Sequence, residues 1–582
     1  MKADRRALRL LIRAIAPDRA SFGWTLTFLL GAGLLEALGP LLGKTLIDDH
    51  LMTGDVDTRV AAMLLAGLVL AGWSAAILRY FTLIRMSRIA MHAVLRLRQW
   101  VHAHVLNLPM AYFDQHNSGQ LVSRITNDTE QIRRLYVQVL FEVMQGLAVL
   151  IGAVVAMAWL DWRLMLIVLA LLPIMVGIIW LYRRLSSAAV ARTRQLRSEI
   201  NAQMAESIAG MAVLQASRAS ARATGRFTDT NSAYYNSRVR EVRANAWMLR
   251  PALDLVSLLL IVAAVGAFGT LPFDGIQIGL LYAFISYIER VVEPLIQITQ
   301  QFSMLQQSLA SATRLDQLLE QPQQEAPDGQ ARPAGGDVRI EALNFGYQPD
   351  APVLRDLNLH VEAGSFVGIV GHTGAGKSSL LSLLLRFYRA DSGRIAIGGA
   401  PLESIDDDGF HENIGLVPQE PFLLAASARD NIDMGRGLSR QSIEEAARQA
   451  GLDAYLRSLP DGYDTTLGEG GARLSAGQKQ LLAVARALAG QPQILLLDEA
   501  TSRVDSATEQ TIARAIAALH GQVTVMAIAH RLSTIRHADN IVVLNHGQIA
   551  ERGTHQQLMR LDAGIYRRLY ELQRIERPGG PA

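Results

Sequence analysis

Six long apolar runs lie in the first half of this 582-residue chain, and they limit its fold more than any other feature. A bilayer core is crossed by about 20 mostly apolar residues in helical form. Runs of this length therefore predict membrane-spanning helices rather than the core of a soluble domain. The predicted spans are Phe22–Leu42, Val60–Ile84, Val137–Leu160, Met165–Tyr182, Leu253–Leu271 and Ile276–Ile298.

The N-terminus begins with the basic sequence MKADRRALRLLIRAIAPDRA. Its charged start resembles a signal peptide, but the apolar run that follows is long enough to span a bilayer and lacks a clear cleavage site. We therefore expect an uncleaved membrane protein. Basic and apolar residues alternate here, which favours an amphipathic helix on the cytoplasmic leaflet, with the start of a solvated helix as the alternative. The basic residues are Arg5, Arg6, Arg9 and Arg13.

Composition excludes several classes of function. The chain contains no cysteine, which excludes disulfides, thiolate metal sites and thiol catalysis. Its formal net charge is only +3, whereas a nucleic-acid-binding surface usually needs a basic stripe. We therefore expect no nucleic-acid partner.

Two arginine-rich connections, residues 85–134 and 183–250, determine the predicted topology. Arginine-rich connections face the cytoplasm, and with six spans both termini then lie on that side. The connections are too long for irregular loops in a compact protein, so we expect helices that leave the membrane and return. The tips of these two cytoplasmic excursions are predicted at Asn117–Thr129 and Gly210–Ser220.

The sequence changes in character after the sixth span. Residues 1–319 form the predicted membrane domain, and residues 320–336, rich in proline, glycine and glutamine, form a predicted linker. From residue 337 to residue 582, short β-rich runs alternate with helical segments. The predicted fold class is therefore an α-helical membrane domain with six transmembrane helices, followed by an α/β P-loop NTPase domain.

The clearest chemical motif is GHTGAGKS, which follows a buried strand-like run and opens a helix. It matches G-x-x-x-x-G-K-[ST], a loop whose backbone N–H groups and helix N-terminus bind phosphate. The lysine reaches the β- and γ-phosphates, and Ser378 binds Mg²⁺. The predicted nucleotide-binding residues of this loop are Gly371, His372, Thr373, Gly374, Ala375, Gly376, Lys377, Ser378 and Ser379.

A second strand-like run, ILLLDE, ends in two carboxylates. Asp498 suits a Mg²⁺ ligand, directly or through water. Glu499 is placed to polarise a water molecule toward the γ-phosphate. Many buried strands end in acidic residues, but downstream of a phosphate loop this run predicts hydrolysis of ATP with Mg²⁺.

The sequence LSAGQ, residues 474–478, resembles the signature motif of the ATP-binding cassette (ABC) superfamily. The order of motifs also resembles that superfamily: the phosphate loop, VPQEPF, LSAGQ, LLLDEATS and AIAHRLST. The resemblance covers nearly the whole chain. It implies a head-to-tail dimer in which Ser475, Gly477 and Gln478 of one chain cap ATP bound by the other, and a helix N-terminus suits that role.

The resemblance implies further site residues. Tyr347 is expected to stack on adenine, and Gln419 to sense the γ-phosphate and bind Mg²⁺. His530 is expected to orient the γ-phosphate and the attacking water, and Asp505 to communicate across the dimer. The predicted catalytic residues are thus Glu499, His530 and Gln419.

Two positions depart from the family pattern. Ala476 stands where the signature most often has glycine, and we expect its methyl group to be tolerated. Arg503 stands where family members usually have a small residue, in the loop that meets the other subunit.

Six spans, two helical excursions and a C-terminal ATPase resemble the half transporters of ABC exporters. The sixth span, LLYAFISYIERVVEPLIQITQQFSMLQQ, is similar to that of the B-type subunits among the bacterial Mdl/Smd multidrug-resistance-like half transporters. This resemblance implies ATP-driven efflux of drug-like, amphipathic or lipidic substrates across the inner membrane. It also implies an A-type partner subunit in preference to a second copy of the chain, with ATP and Mg²⁺ as cofactors.

Ionisable residues in or near the spans are costly there, and they are usually functional or paired. Some are expected to line a cavity that receives cationic or amphipathic substrates. The alternatives are mutual pairing, or a position beyond the bilayer because exporter helices extend past it. These residues are Glu36, Arg79, Asp254, Glu289, Arg290 and Glu293.

The main functional prediction is one half of an exporter that works by alternating access. A lipid flippase is a variant of the same mechanism. A nucleotide-gated channel or regulatory subunit is an alternative from another class. Such proteins typically lose the catalytic glutamate or the switch histidine, whereas this chain has Glu499 and His530.

Overall fold

The chain divides into two compact units. One comprises Met1–Asn107 and His116–Gln321, and the other comprises Leu108–Gln115 and Pro322–Ala582. A short segment from the first excursion thus belongs to the second unit. The structure, a computed structural model, describes residues 2–52, 57–248, 250–270, 278–324, 329–348, 350–498, 506–529 and 531–575.

The N-terminal part of the chain consists of long helices. Two π-helical turns, Arg124–Asp128 and Leu135–Leu140, join three α-helical segments into one rod, Ser118–Leu160. The helices are α1 (Lys2–Ile15), α2 (Arg19–Leu46), α3 (Thr58–Leu106), α4 (Met110–Gln115), α5 (Ser118–Ser123), α6 (Thr129–Arg134), α7 (Phe141–Leu160), α8 (Trp162–Ala209), α9 (Met211–Ala216), α10 (Ser220–Met248), α11 (Arg250–Thr270) and α12 (Ile278–Leu319).

Within the described ranges, four helices are long and apolar enough to cross a membrane; they contain the first three predicted spans and the fourth from Val168 onward. The fifth span coincides with α11 up to Thr270, and the sixth lies in α12 from Ile278 onward. Large apolar side chains point outward from the helices, and Trp73 and Trp159 are 67% and 75% exposed. Exposed apolar surface of this extent is typical of helices that face lipid.

The first excursion reverses earlier than its sequence predicts. The long helix α3 ends at Leu106, α4 forms the short connecting helix, and the returning rod begins at Ser118. The predicted tip at 117–129 is therefore wrong, since those residues form the start of the rod. Asn117 there is a helix N-cap, and its side chain accepts from Gly119 N. In the second excursion, α9 lies between α8 and α10, inside the predicted tip.

The N-terminal helix α1 packs on the first unit along one face. Ala7, Leu10, Leu11 and Ala14 are buried, and the hydroxyl of Tyr136 donates to Leu11 O at 3.0 Å. The arginines of the opposite face are exposed, as the amphipathic pattern predicts.

The second unit contains two sheets and the helices that cover them. Its elements are β1 (Val338–Gln348), β2 (Ala351–Val361), β3 (Phe366–Gly371), α13 (Lys377–Leu384), β4 (Ser392–Ile397), β5 (Ala400–Pro401), α14 (Asp407–Asn413), β6 (Ile414–Val417), α15 (Ala428–Asp433), α16 (Arg440–Gln449), α17 (Asp453–Ser458), α18 (Ala476–Leu488), β7 (Ile494–Asp498), α19 (Ser506–Ala518), β8 (Thr524–Ile528), α20 (Leu532–Ile535), β9 (Asn540–Asn545), β10 (Gln548–Gly553), α21 (His555–Met559) and α22 (Ile565–Ile575).

The larger sheet has the strand order β10-β9-β3-β8-β7-β6, and its inner strands β9, β3, β8 and β7 are buried on both faces. In β7, for example, Ile494 and Leu496 pack in the core on the side of the antiparallel sheet β2-β1-β4-β5, whereas Leu495 and Leu497 pack in the core on the side of α18 and α19. Burial on both faces explains the continuous apolar run that precedes Asp498.

Candidate functional site

Several predicted site residues follow neighbouring parallel strands of the larger sheet. The strands β9, β3, β8, β7 and β6 run parallel, and the carboxyl ends of parallel strands lie along one edge, where α/β proteins bind ligands. β3 ends at Gly371, where the phosphate loop begins, and β7 ends at Asp498. Gln419 follows the last residue of β6, Val417, by two positions. The phosphate-binding and Mg²⁺ predictions therefore share one edge of the sheet.

The phosphate loop has a backbone that only glycine allows at its end. Gly376 has a φ of 99° and is the N-cap of α13. This positive φ favours glycine, and a Cβ on Gly376 would also lie 2.6 Å from Cδ2 of Leu354, which would have to move. The loop presents its backbone and a helix N-terminus to solvent, as an anion site requires. Its exposed residues are His372, Thr373, Gly374 and Ser378.

Lys377 supplies a cation at this loop. Its side chain is almost completely buried, and Nζ donates to Gly371 O at 2.8 Å and to His372 O at 3.0 Å. These carbonyl groups hold the ammonium beside the helix N-terminus and help to satisfy its donors. The positive charge of Lys377, the N–H groups of the loop and the N-terminus of α13 together suit the binding of a polyphosphate.

The donor atoms at this edge fit a Mg²⁺ ion that is shared with a nucleotide. In the part of the chain that the structure describes, no three His, Cys, Asp or Glu side chains form a metal-binding group. Mg²⁺ in phosphate sites takes only one or two protein oxygens, and phosphate and water supply the rest. Ser378, Gln419 and Asp498 carry oxygen donors of this type. These residues therefore suit a metal ion that a nucleotide helps to bind, and not one bound by the protein alone.

Tyr347 lies at the end of β1 beside the phosphate-loop helix. Its ring is about half exposed, and its hydroxyl is hydrogen-bonded to Oγ of Ser379 at 3.1 Å. Ser379 belongs to the first turn of α13, so the aromatic ring is tied to the helix that begins at Lys377. An exposed ring in this place can stack on a base.

The signature segment is a capped helix N-terminus. Ser475 is the N-cap of α18: its Oγ accepts from Gln478 N at 3.2 Å, and Gln478 Oε1 accepts from Ser475 N at 2.9 Å. The serine and Ala476 are both exposed. A hydroxyl that accepts in a cap still has a proton to donate, so this end of α18 can bind an anion from outside the chain.

Gly477 has a packing reason that sequence reasoning missed. It is buried, and a Cβ at this position would lie 2.5 Å from Oγ1 of Thr508 in α19. Glycine is therefore required for the close approach of α18 and α19, whatever it contacts in a dimer.

Two other contacts around the site were also missed. Gln480, buried in α18, donates through Nε2 to Pro418 O at 3.1 Å, which links the signature helix to the residue before Gln419. The spacing of three residues from Gly477 could have indicated its buried position. Arg531 pairs with Glu509 of α19 at 2.7 Å, and no sequence signal indicates that pair.

Some predicted residues lie outside the described ranges. They are Glu499, Asp505 and His530, together with Arg503.

The six ionisable residues that the sequence places in or near the spans fall into two groups. Arg79 forms an ion pair with Glu36 at 2.8 Å, and Arg290 Nη1 donates to Glu36 O at 2.9 Å. Glu36 and Arg79 thus follow the pairing alternative, whereas Arg290 is bonded to the backbone of Glu36. The other group is exposed and acidic: Asp254 on α11, and Glu289 and Glu293 one turn apart on α12.

Two family models match the chain. Residues 23–295 match the ABC transporter transmembrane region, and residues 354–502 match the family described as ABC transporter. The chain is 37% identical over 553 residues to the ABC transporter ATP-binding protein exp8 of Streptococcus pneumoniae, covering 94% of each protein. It is 34% identical over 566 residues to the multidrug resistance-like ATP-binding protein MdlB of Buchnera aphidicola, covering 97% of each. A bacterial Atm1-family ABC exporter with ATP bound has the same fold, with a TM-score of 0.77 and 28% identity over 95% of this chain and 98% of that one.

Proposed function

Because this chain belongs to the ABC transporter family and has the membrane region and the ATPase of an exporter half transporter in one polypeptide, we propose that it exports drug-like, amphipathic or lipidic molecules across the bacterial inner membrane. It is a multi-pass membrane protein that binds ATP and couples ATP hydrolysis to transport. The two termini and the ATPase unit are proposed to lie in the cytoplasm, in accord with the arginine-rich connections.

The observation that carries this proposal is the shared edge of the larger sheet, where the phosphate loop, Asp498 and Gln419 converge. We assign Lys377 and the loop N–H groups to the β- and γ-phosphates, and Ser378, Gln419 and Asp498 to Mg²⁺. The bound ion would neutralise charge on the phosphates. Tyr347 would stack on adenine.

The catalytic roles are assigned from the sequence motifs that follow β7 and β8. Glu499, next to Asp498, would hold the attacking water and accept its proton. His530, which follows β8, would orient the γ-phosphate, and Asp505 would connect the two subunits. These three assignments rest on the sequence motifs.

The exposed N-terminus of α18 supports a dimer in which it meets nucleotide bound by another chain. Ser475, Gly477 and Gln478 would cap the γ-phosphate held by the partner, and closure would then depend on ATP. The resemblance of the sixth span to that of B-type half transporters favours an A-type half transporter as that partner.

The acidic face of α12 supports cationic amphipathic substrates. Glu289 and Glu293 are exposed on that helix, and Gln297 Nε2 donates to Glu293 at 3.2 Å. Further along the same helix, residues 299–306 line a cavity of about 560 Å³, a volume that suits a drug-sized molecule. Aromatic and charged side chains mix in its lining, which includes Trp180, Tyr182, Arg194, Glu241 and Phe302.

The catalytic assignment is tested with Glu499→Gln in lipid nanodiscs. ATPase activity should be lost while binding of a fluorescent ATP analogue persists, because the variant removes the base and leaves the phosphate loop intact. Glu412→Gln, a change of an exposed carboxylate in the same unit, is the matched control. Hydrolysis by Glu499→Gln at the wild-type rate would show that another group activates the water.

Transport is tested in inverted vesicles with ethidium, an amphipathic cation. ATP-dependent accumulation against a gradient, absent with Glu499→Gln, supports a pump. A passive flux that survives the Glu499→Gln substitution would instead indicate a nucleotide-gated channel.

A further inference from the structure

The short helix α4 is held on the ATPase unit by a hydrogen bond from a distant part of the chain. The hydroxyl of Tyr388 donates to the carboxylate of Asp114, 274 positions away. Both residues belong to the second unit, whereas the chain on either side of Leu108–Gln115 belongs to the first. Burial, and then the hydrogen bond and charge of Asp114, raise the pKa of Tyr388, so the phenol remains a donor at neutral pH.

The ring of Tyr388 also contacts Tyr347 of the proposed nucleotide site. It meets the ring of Tyr347 edge-on, with centroids 5.1 Å apart and an interplanar angle of 89°. It also packs against Phe345, at a centroid distance of 5.6 Å. Tyr347 in turn is hydrogen-bonded to Ser379 in the first turn of the phosphate-loop helix. An unbroken series of contacts therefore joins this helix to Asp114.

We infer that Tyr388 is a positioning residue that couples nucleotide binding at Tyr347 to the position of α4. This inference rests on the proposed stacking of adenine on Tyr347. A stacked base restricts the Tyr347 ring, and edge-to-face pairs have a narrow preferred geometry, so Tyr388 is restricted with it. Through its hydrogen bond to Asp114, Tyr388 then restricts α4, which is covalently continuous with α3 and α5.

Coupling of this kind is reciprocal, so loss of the Tyr388–Asp114 bond must also weaken ATP binding. Asp114 is exposed, so solvent reduces the effect to that of an ordinary hydrogen bond, below that of a bond to a buried charge. We expect an increase of about 3–10-fold in the KM for ATP and a smaller change in kcat.

The test compares Tyr388→Phe, Asp114→Ala and the double variant, as full-length chain with its partner subunit in nanodiscs. Tyr463→Phe is the matched control, since Tyr463 makes the same type of bond, to Asp453 at 2.7 Å, on other elements of the ATPase unit. Two quantities are measured: the KM for ATP, and the amide hydrogen exchange of residues 106–117 with and without a non-hydrolysable ATP analogue.

In the wild type, the analogue should slow exchange in residues 106–117. Each single variant should lose that protection and raise KM, and the double variant should be no worse than either single one, because all three remove one bond. Tyr463→Phe should lower thermal stability and leave both readouts unchanged. A wild-type KM and full protection in Tyr388→Phe, or effects that multiply in the double variant, would overturn the inference.

A separate variant distinguishes this inference from the proposed function. Tyr347→Leu should raise the KM for ATP if adenine stacks there. If Tyr347→Leu binds ATP normally, the stacking assignment fails. If Tyr388→Phe still loses protection at residues 106–117 in that case, α4 is coupled to the nucleotide by another route. That result would overturn the relay through Tyr347.

Discussion

Replacement of Gly477 by alanine distinguishes two reasons for a glycine in the signature segment: close packing against α19 and contact with the nucleotide. The added Cβ would lie 2.5 Å from Oγ1, 2.8 Å from Cγ2 and 3.0 Å from Cβ of Thr508. Overpacking of this kind costs about 1–3 kcal/mol, and the helix propensity of alanine returns up to about 1 kcal/mol. We expect a net loss of about 1–2 kcal/mol, or a decrease in Tm of about 2–8 °C for a unit of this size.

The direction of the Cβ also predicts which second substitution restores activity. Because the methyl group points at α19, Gly477→Ala should reduce ATPase activity by displacing the start of α18 rather than by blocking the nucleotide. Thr508→Ala removes the two closest atoms, so the double variant should recover most of the lost stability and most of the ATPase rate. Ala476→Gly, at the exposed neighbouring position, is the control and should change stability by less than about 1 kcal/mol.

Differential scanning calorimetry and steady-state ATPase assays on the four variants and the wild type measure both effects. An unchanged Tm for Gly477→Ala would show that no collision occurs. Recovery of stability without recovery of ATPase activity would show that the methyl group obstructs the nucleotide directly, against the geometry described above.

Three further predictions concern other parts of the chain. Lys377→Ala should abolish binding of a fluorescent ATP analogue, since the ammonium held by Gly371 O and His372 O is the main cation of the loop. Arg314→Met should lower the free energy of unfolding by about 1–3 kcal/mol in thermal melts, because it leaves the buried carboxylate of Asp128 without its donor; Arg314→Lys should recover part of this. Burial lowers the pKa of His555, and electrostatic interaction with Arg536 and His537 lowers it further. The folded chain then binds fewer protons than the unfolded chain, so stability should fall as the pH drops below about 6.5, and His555→Gln should flatten that slope in urea titrations.

Features that depend on local pattern were predictable from the sequence. Apolar runs indicated the helices of the membrane unit, and the motif around Lys377 indicated a strand, a loop and a helix in that order. The end of β7 at Asp498 followed from a run of residues buried on both faces. In each case, neighbours in sequence determine the structure.

The tip of the first excursion was mispredicted because local signals were ambiguous. Asn117 caps a helix, and the reversal occurs before it, between the end of α3 at Leu106 and the start of α5 at Ser118. The hydroxyls of Thr126 and Thr129 bond to carbonyl groups of the preceding turn, so these residues are accommodated within the rod.

Contacts between distant residues could not be predicted from one sequence. The bond between Tyr388 and Asp114, the ion pair of Glu36 with Arg79, and the approach of Thr508 to Gly477 each depend on how helices and strands pack. Residue type alone showed that Glu36 and Arg79 needed an explanation, but it could not choose between a cavity and a pair.

We propose that ATP is hydrolysed between the phosphate loop of this chain and the signature helix of a second chain. This proposal is tested most directly by the ATPase rate per chain in nanodiscs sorted by native mass spectrometry into particles with one chain and particles with two. Hydrolysis should be confined to particles with two chains, whether the second is another copy or a different half transporter. Single-chain particles that hydrolyse ATP at the same rate per chain would contradict the account.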